Sequence, residues 1–398
     1  MFSQIELSPP DPLYAAAAAF AADTRSDKID LSVGVYRDED GASPVMEVVK
    51  AAEAKLLREQ ATKAYRPLMG DPVFLAEMTR LALGDDHPAV AAGRVVAIQA
   101  TGGTGALRLA AALARSASTT SVCHIGMPSW PSHPGVFGGE GLSIKAHDYW
   151  HAGSETPDWE AIQAAAAGAG AGDIFLMHGP CHNPTGIDLT MEQRASLLEE
   201  LARNEAVPLM DIAYYGLGDG LEADLSIIRQ MVAAVPRGII AMSCSKAFGL
   251  YRERTGILFV LCADAGEAER VRGQIGILSR LLVSSAPAHG AEAVAHILHD
   301  AALNAAWRTE LEEMRQRILT LRTRLSDSGL PAFRDIVGQK GIFAMLPLSP
   351  DDVATLARDH AIYMPPSGRA NLVGLRDVDV DRFTAAIALV KAAEPVAS

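Results

Sequence analysis

Gly238-Ile239-Ile240-Ala241-Met242 is an uncharged, largely apolar run, and it ends in Ser243-Cys244-Ser245-Lys246. A short apolar run bounded by small polar residues reads as a buried strand that delivers its last residues to one edge of a sheet. The same pattern recurs on both sides of it, at Val95 to Gln99, Ile174 to His178, Val207 to Met210 and Gly256 to Leu261, with longer helical stretches between. Strands alternating with helices predict an α/β fold whose mainly parallel sheet is covered on both faces. In such sheets ligands bind at the carboxyl ends of the strands, so chemistry is expected immediately after each run.

The residues found there form a set. Lys246 stands beside two serines, with Arg254 eight residues on. A lysine can hold an aldehyde as a Schiff base while the serines and the guanidinium hold a phosphate. The Ser-x-x-Lys spacing also occurs in acyl-serine hydrolases, but neither Lys-Thr-Gly nor Ser-Asp-Asn occurs in the chain. After the run Val207 to Met210 comes Asp211, which reads either as a helix cap or as the partner of a protonated pyridine nitrogen, with Tyr214 able to reach the same ring. Thr101-Gly102-Gly103-Thr104-Gly105 precedes a helical stretch expected from about Ala106, and it reads as a turn or as a phosphate cradle at a helix N-terminus. The dinucleotide pattern fails, because Arg108 occupies the place of the third glycine.

His178-Gly179-Pro180-Cys181-His182-Asn183-Pro184 offers Asn183 before a proline, a position biased to extended backbone and open to a cis bond. Its two histidines read as satisfied or supporting residues rather than metal ligands, and no metal is expected. Trp130 is a core residue or a ring-stacking face. Taken together, a Schiff-base lysine, a ring-nitrogen carboxylate, a phosphate cradle and a stacking aromatic at successive strand ends point to pyridoxal phosphate.

Composition narrows the partners. The 398 residues carry 35 Lys and Arg against 48 Asp and Glu, a formal charge of −13, with no basic arm, so nucleic acid and anionic membrane are not expected. Hydrophobic residues at 49% and charged residues at 21% describe an ordinary folded chain, without a charge-free stretch able to span a bilayer. Four cysteines without Cys-x-x-Cys spacing and no visible secretory signal lead to an expected cytoplasmic address. Farther on, Trp307, Leu311, Met314, Ile318, Leu321 and Leu325 trace one helical stripe, stopped by Gly329 and Pro331. This helix is expected to lead into a second, smaller domain, giving an N-terminal segment 1–43 joined to the small domain, a large domain 44–309 and a small domain 310–398.

These motifs resemble the class I pyridoxal-phosphate aminotransferases of the aspartate and aromatic amino-acid subgroup. The resemblance runs from Asp11-Pro12 almost to the end, through Ile29 to Tyr36, Gly103-Thr104-Gly105, His182 to Gly186, Asp211 to Tyr214, Ser243 to Lys246, Glu253 to Gly256 and Ser367-Gly368-Arg369. It implies a fold-type I transferase, with a seven-stranded sheet in the large domain and a smaller α/β domain. It implies that Lys246 holds the cofactor and carries the proton, that Asp211 faces the ring nitrogen, and that Tyr214 and Asn183 reach the ring hydroxyl. Trp130 would stack on the ring, Gly103, Thr104, Ser243, Ser245 and Arg254 would hold the phosphate, and His178 would support Asp211. Tyr65 is implied to reach the phosphate of a neighbouring subunit, and with it a homodimer with shared sites.

For substrate, the resemblance implies Arg369 on the α-carboxylate, with Gly34, Trp130 and Asn183 nearby, and Arg280 on a side-chain carboxylate across the dimer. Aspartate enzymes of the subgroup read Arg-x-Asn-Tyr-Ser-Asn-Pro-Pro where this chain has Arg280-Leu281-Leu282-Val283-Ser284-Ser285-Ala286-Pro287, and Ser132 stands where asparagine is common. Leu281, Leu282 and Val283 are expected to be buried, and the more apolar pocket to admit aromatic side chains. The activity implied is ping-pong transfer of an amino group between aspartate or an aromatic amino acid and 2-oxoglutarate. The alternatives are another pyridoxal-phosphate reaction, such as aspartate β-decarboxylation or a lyase, or a non-catalytic binding module.

Overall fold

The computed structural model describes residues 2–7 and 11–392; residues 1 and 8–10 of the expected N-terminal segment and 393–398 of the expected small domain lie outside them. The chain divides into two compact units, one of residues 44–316 and one of residues 1–43 with 317–398.

The larger unit is built on seven strands: β1 (Val95–Thr101), β2 (Val122–Met127), β3 (Ser143–Asp148), β4 (Ile174–His178), β5 (Val207–Ile212), β6 (Gly238–Ser243) and β7 (Thr255–Leu261). Their spatial order is β1-β7-β6-β5-β4-β2-β3, and only β7 runs antiparallel to its neighbours. The sheet is therefore mainly parallel, with helices filling the connections except the turn that joins β6 to the antiparallel β7. The central strands are apolar on both faces, every residue of β6 and β7 being buried, as a sheet sandwiched between helices requires.

Sequence pattern missed β2 and β3. Val122-Cys123-His124-Ile125-Gly126-Met127 mixes histidine and glycine into its run, and Ser143–Asp148 is an edge strand whose residues are mostly exposed. Neither carries the apolar run that marks the central strands.

Two helices bear most directly on the strand ends. Helix α1 (Gly102–Ala117) starts at Gly102 directly after β1, so the glycine-rich stretch is the helix's own first turn rather than a loop leading to Ala106. A run of 27 residues, Ala301–Asp327, forms α4, and all six residues of its stripe are buried, Trp307, Leu321 and Leu325 completely. Between them, α2 (Leu221–Ala234) follows β5 and α3 (Ala265–Val283) follows β7. The division between the units falls inside α4, at Gln316 and Arg317, where the pattern placed it at 310.

In the smaller unit Ile29–Asp30 pairs in parallel with Ile362–Tyr363, and Arg369–Asn371 pairs antiparallel with Phe343–Met345. The N-terminal segment is thereby woven into the C-terminal part of the chain. No helix of the described residues is long and apolar enough to cross a membrane.

Candidate active site

At the carboxyl ends of β4, β5 and β6 and the start of α1, one pocket is lined by Gly103, Thr104, Trp130, Asn183, Asp211, Tyr214, Ser243, Ser245, Lys246 and Arg254. His178, Pro180, Cys181, Leu107 and Ala213 complete it. The parallel strands explain the convergence, since each ends on the same side of the sheet and hands its next residues to one crevice.

Lys246 sits in a turn after β6, in which the Gly249 amide donates to the Lys246 carbonyl at 3.1 Å. The turn is held from α4: Trp307 Nε1 donates to the Ala247 carbonyl at 2.7 Å, and the indole stacks on Phe248 with ring centroids 4.5 Å apart. The Lys246 ammonium lies 5.0 Å from the centre of the Tyr214 ring. Burial pushes the Lys246 amine down to about 8; the Asp211 carboxylate opposes that shift and the Arg254 charge adds to it.

The anion end is made of backbone and cations. Helix α1 points its N-terminus at the pocket, where free N–H groups and the helix dipole favour negative charge. Gly102 has a positive φ of 69°, and a Cβ there would stand 2.7 Å from Arg254 Nη2; a Cβ on Gly103 would stand 3.1 Å from that of Ser243. Only glycine leaves this cradle open. Arg254 Nη1 donates to Ser245 Oγ at 3.4 Å.

Asp211 marks another side of the pocket. His133 Nε2–H donates to Asp211 Oδ2 at 3.1 Å, Ser129 Oγ lies 2.8 Å from His133 Nδ1, and His178 Nε2 lies 2.9 Å from the same hydroxyl. Burial raises the Asp211 carboxyl, but the His133 hydrogen bond and the nearby Lys246 ammonium outweigh it and hold the group below the usual carboxylate range. His178, expected to support Asp211, is its register partner on the neighbouring strand and is linked to the carboxylate by hydrogen bonds through Ser129 and His133. The residue in contact is His133, which the pattern passed over; its signal was the four-residue spacing from Ser129 on the short helix His133–Gly138 and its preceding turn. Burial holds His178 neutral down to about 3.

Asn183 belongs to a loop pinned by Asp188, whose carboxylate accepts from the amides of Cys181 at 2.9 Å and His182 at 2.8 Å. The Asn183–Pro184 bond is cis, and the buried Asn183 Oδ1 has no hydrogen-bond partner within the protein. A buried acceptor of this kind at a pocket wall calls for a donor from a bound group. Among the described residues no cluster of three or more His, Cys, Asp or Glu has metal-holding geometry.

Four expected residues are not in this pocket. Tyr65 is 93% exposed and Arg280 lies near the exposed C-terminus of α3. Leu281, Leu282 and Val283 are exposed too, contrary to the burial expected of them, because the buried residues of α3 stop at Ser279 and its last turn is left uncovered. Gly34 and Arg369 belong to the smaller unit. There the buried Arg369 donates from Nη2 to the Ser32 carbonyl at 2.9 Å and stacks over Phe343, 4.5 Å from the ring centre, while a Cβ on Gly34 would stand 2.6 Å from Phe343 Cζ.

An anion cradle, an amine of lowered pKa and a mostly buried carboxylate around one pocket define an enzyme that carries an anionic aldehyde cofactor on a lysine. The chain belongs to the aminotransferase class I and II family, whose model matches residues 26–387. It is 40% identical over 394 residues to an aromatic-amino-acid aminotransferase of Pseudomonas aeruginosa, covering 98% of each chain. It is also 40% identical over 380 residues to an aspartate aminotransferase of Salmonella typhi, covering 94% of this chain and 96% of the relative. The crystal structure of an aromatic-amino-acid aminotransferase from Burkholderia pseudomallei, covalently bound to pyridoxal phosphate, superposes with a TM-score of 0.95 at 37% identity, covering 98% of this chain and 99% of the other. The chain is a fold-type I aminotransferase, and its cofactor is pyridoxal phosphate. The residues present fit that group: Lys246 for the aldehyde, the α1 N-terminus with Ser243, Ser245 and Arg254 for the phosphate, and Asp211 for the ring nitrogen.

Proposed function

We propose that this aminotransferase accepts both aspartate and aromatic amino acids as donors and 2-oxoglutarate as acceptor, in two half-reactions. Equal identity to enzymes named for each donor supports the breadth. The observation that carries the chemistry is the joint placement of Lys246, Asp211 and the glycine-lined cradle on one pocket.

Bound pyridoxal phosphate supplies an electron sink for the pair released when the substrate Cα–H bond breaks. The chain's residues do the rest. Ser243, Ser245, Arg254 and the α1 amides anchor the phosphate, and Trp130 covers the ring. Asp211, kept ionised by His133, holds the proton on the ring nitrogen. Lys246 Nζ, with its pKa near the working pH, takes the substrate α-proton and returns a proton later. Arg369 is assigned to the substrate α-carboxylate, for which its planar fork is suited. Gly34 is assigned to the substrate side as well, since its lack of a side chain keeps the surface over Phe343 low.

The same reading assigns a homodimer. Leu281 and Ile277 on α3 are exposed, as are Tyr65 and Leu68, and Gly276 of α3 packs against Leu68. Exposed apolar residues of this kind fit a second copy of the chain, which would cover Leu281 to Val283 and present Tyr65 and Arg280 to the neighbouring site. The two units correspond to large and small domains. The four buried cysteines, none in a disulfide, support a cytoplasmic address.

The test is the absorbance of the cofactor-loaded protein with L-aspartate or L-phenylalanine added alone. Conversion of the pyridoxal to the pyridoxamine band by both supports the dual reading, and conversion by one assigns the donor. No change with either overturns it.

A further inference from the structure

The loop between β5 and α2 carries a feature that the cofactor contacts leave unexplained. After Tyr214 the chain runs through Gly216-Leu217-Gly218-Asp219-Gly220 into the helix, and the first turn of α2 contains Asp224, buried to 2% exposure. Its carboxylate gathers the loop from inside. Oδ2 accepts from the amides of Gly216 at 2.8 Å and Gly218 at 3.0 Å, and Oδ1 accepts from the amide of Asp219 at 2.9 Å. Burying an anion is costly, and the three converging amides offset that cost only in part, so burial leaves the Asp224 carboxyl pushed up to about 6.

The loop is shaped to admit the carboxylate. A Cβ on Gly218 would stand 2.7 Å from Asp224 Oδ1 and 3.2 Å from Cys181 Sγ, so a side chain there is excluded. Gly216 takes a φ of +84°, with the Leu311 side chain 2.4 Å from where a Cβ would be. Between the two glycines, the Leu217 amide donates to the Tyr214 carbonyl at 3.0 Å. Cys181 Sγ, from the loop that carries Asn183, contacts the same carbonyl at 3.9 Å. Asp224 therefore fixes the residues on both sides of the one that holds the Tyr214 backbone.

We propose that Asp224 is a positioning residue, whose carboxylate sets where Tyr214 stands against Lys246 by collecting the amides of the loop that comes after it. The inference rests on the reading of the pocket as the pyridoxal-phosphate site. It makes the placement of Tyr214 depend on an acid that is not part of the pocket lining.

The experiment compares wild type, Asp224→Asn, Tyr214→Phe and the double variant, all full length. The first readout is the pH midpoint of the absorbance band of bound pyridoxal phosphate. Tyr214→Phe is expected to shift it, Asp224→Asn to shift it in the same direction by about 0.5 pH unit or more, and the double variant to shift no further than Tyr214→Phe alone. A wild-type midpoint in Asp224→Asn, or shifts that add in full, overturns the proposal, since a merely structural acid would lower thermal stability without moving this midpoint. The second readout needs no cofactor: amide exchange at Gly216, Leu217, Gly218 and Asp219 is expected to quicken about tenfold in Asp224→Asn. Unchanged protection of Leu217 overturns the proposal. A wild-type protein that gives no cofactor band would overturn the site reading instead, leaving exchange to decide this one. If Asp224→Asn does not fold, Gly218→Ala pushes the loop off the carboxylate while keeping the charge, and the same two readouts are expected to move in the same directions.

Discussion

His133 Nε2 lies 3.1 Å from Asp211 Oδ2, the imidazole fully buried and the carboxylate mostly so, at the wall of the pocket. The pair is the innermost link of a hydrogen-bonded row that continues through Ser129 to His178. A carboxylate that must meet a cationic ring nitrogen needs its other oxygen satisfied, or burial would protonate it. His133→Phe removes that donor, so the Asp211 carboxyl is expected to rise. Pyridoxal-phosphate affinity is expected to fall about tenfold or more, the scale of a lost hydrogen bond to a charged group. Fluorescence titration with the cofactor checks it; unchanged affinity would show that Asp211 keeps its charge unaided.

Lys246 has its amine pushed down to about 8 by burial. Roughly a tenth of it is then neutral at pH 7, far more than for an ordinary lysine. Formation of the lysine–pyridoxal-phosphate band is expected to quicken with pH to a midpoint near 8 and level off above it. A rate still climbing past pH 10 would contradict the burial argument.

Buried histidines make the fold acid-sensitive. His178 is pushed down to about 3, His147 to about 4 and His182 well below its ordinary value, in each case by burial first. Between the unfolded value near 6.5 and these folded values the unfolded chain binds the extra protons, so stability present above about pH 6.5 is lost as the pH falls. Each histidine adds a slope of about 1.4 kcal/mol per pH unit. Urea unfolding at pH 7 and pH 5 measures it, and a midpoint that does not move would count against neutral histidines in the fold.

Leu281 is 79% exposed in the last turn of α3. Leu281→Glu places a charge on the surface assigned to the second copy, so the mass in sedimentation is expected to drop to that of one chain. Unchanged dimer mass would move the interface elsewhere, and a wild-type protein that sediments as one chain would refute it.

Much of this was legible along the chain. The central strands declare themselves because a sheet covered on both faces demands continuous apolar runs, and Asp211 and Lys246 come directly after those runs. The stripe from Trp307 to Leu325 was readable for the same reason, since one helix face must be buried. Edge strand β3 was not legible, because it is half in water and its side chains obey no burial rule.

What the sequence determined by itself, then, is what local physics encodes: apolar periodicity, the residue types at strand ends, and the glycines that keep a helix N-terminus open. What only the tertiary structure decided is which side chains meet across elements distant in the chain. His133 touches Asp211 from 78 residues away, and Trp307 clamps the turn of Lys246 from 60 residues beyond Ala247. Asp224 collects its loop through amides that any residue type carries. Such contacts leave no spacing signature, because the distance between two packed elements is set by the sheet order and not by the count of residues that joins them.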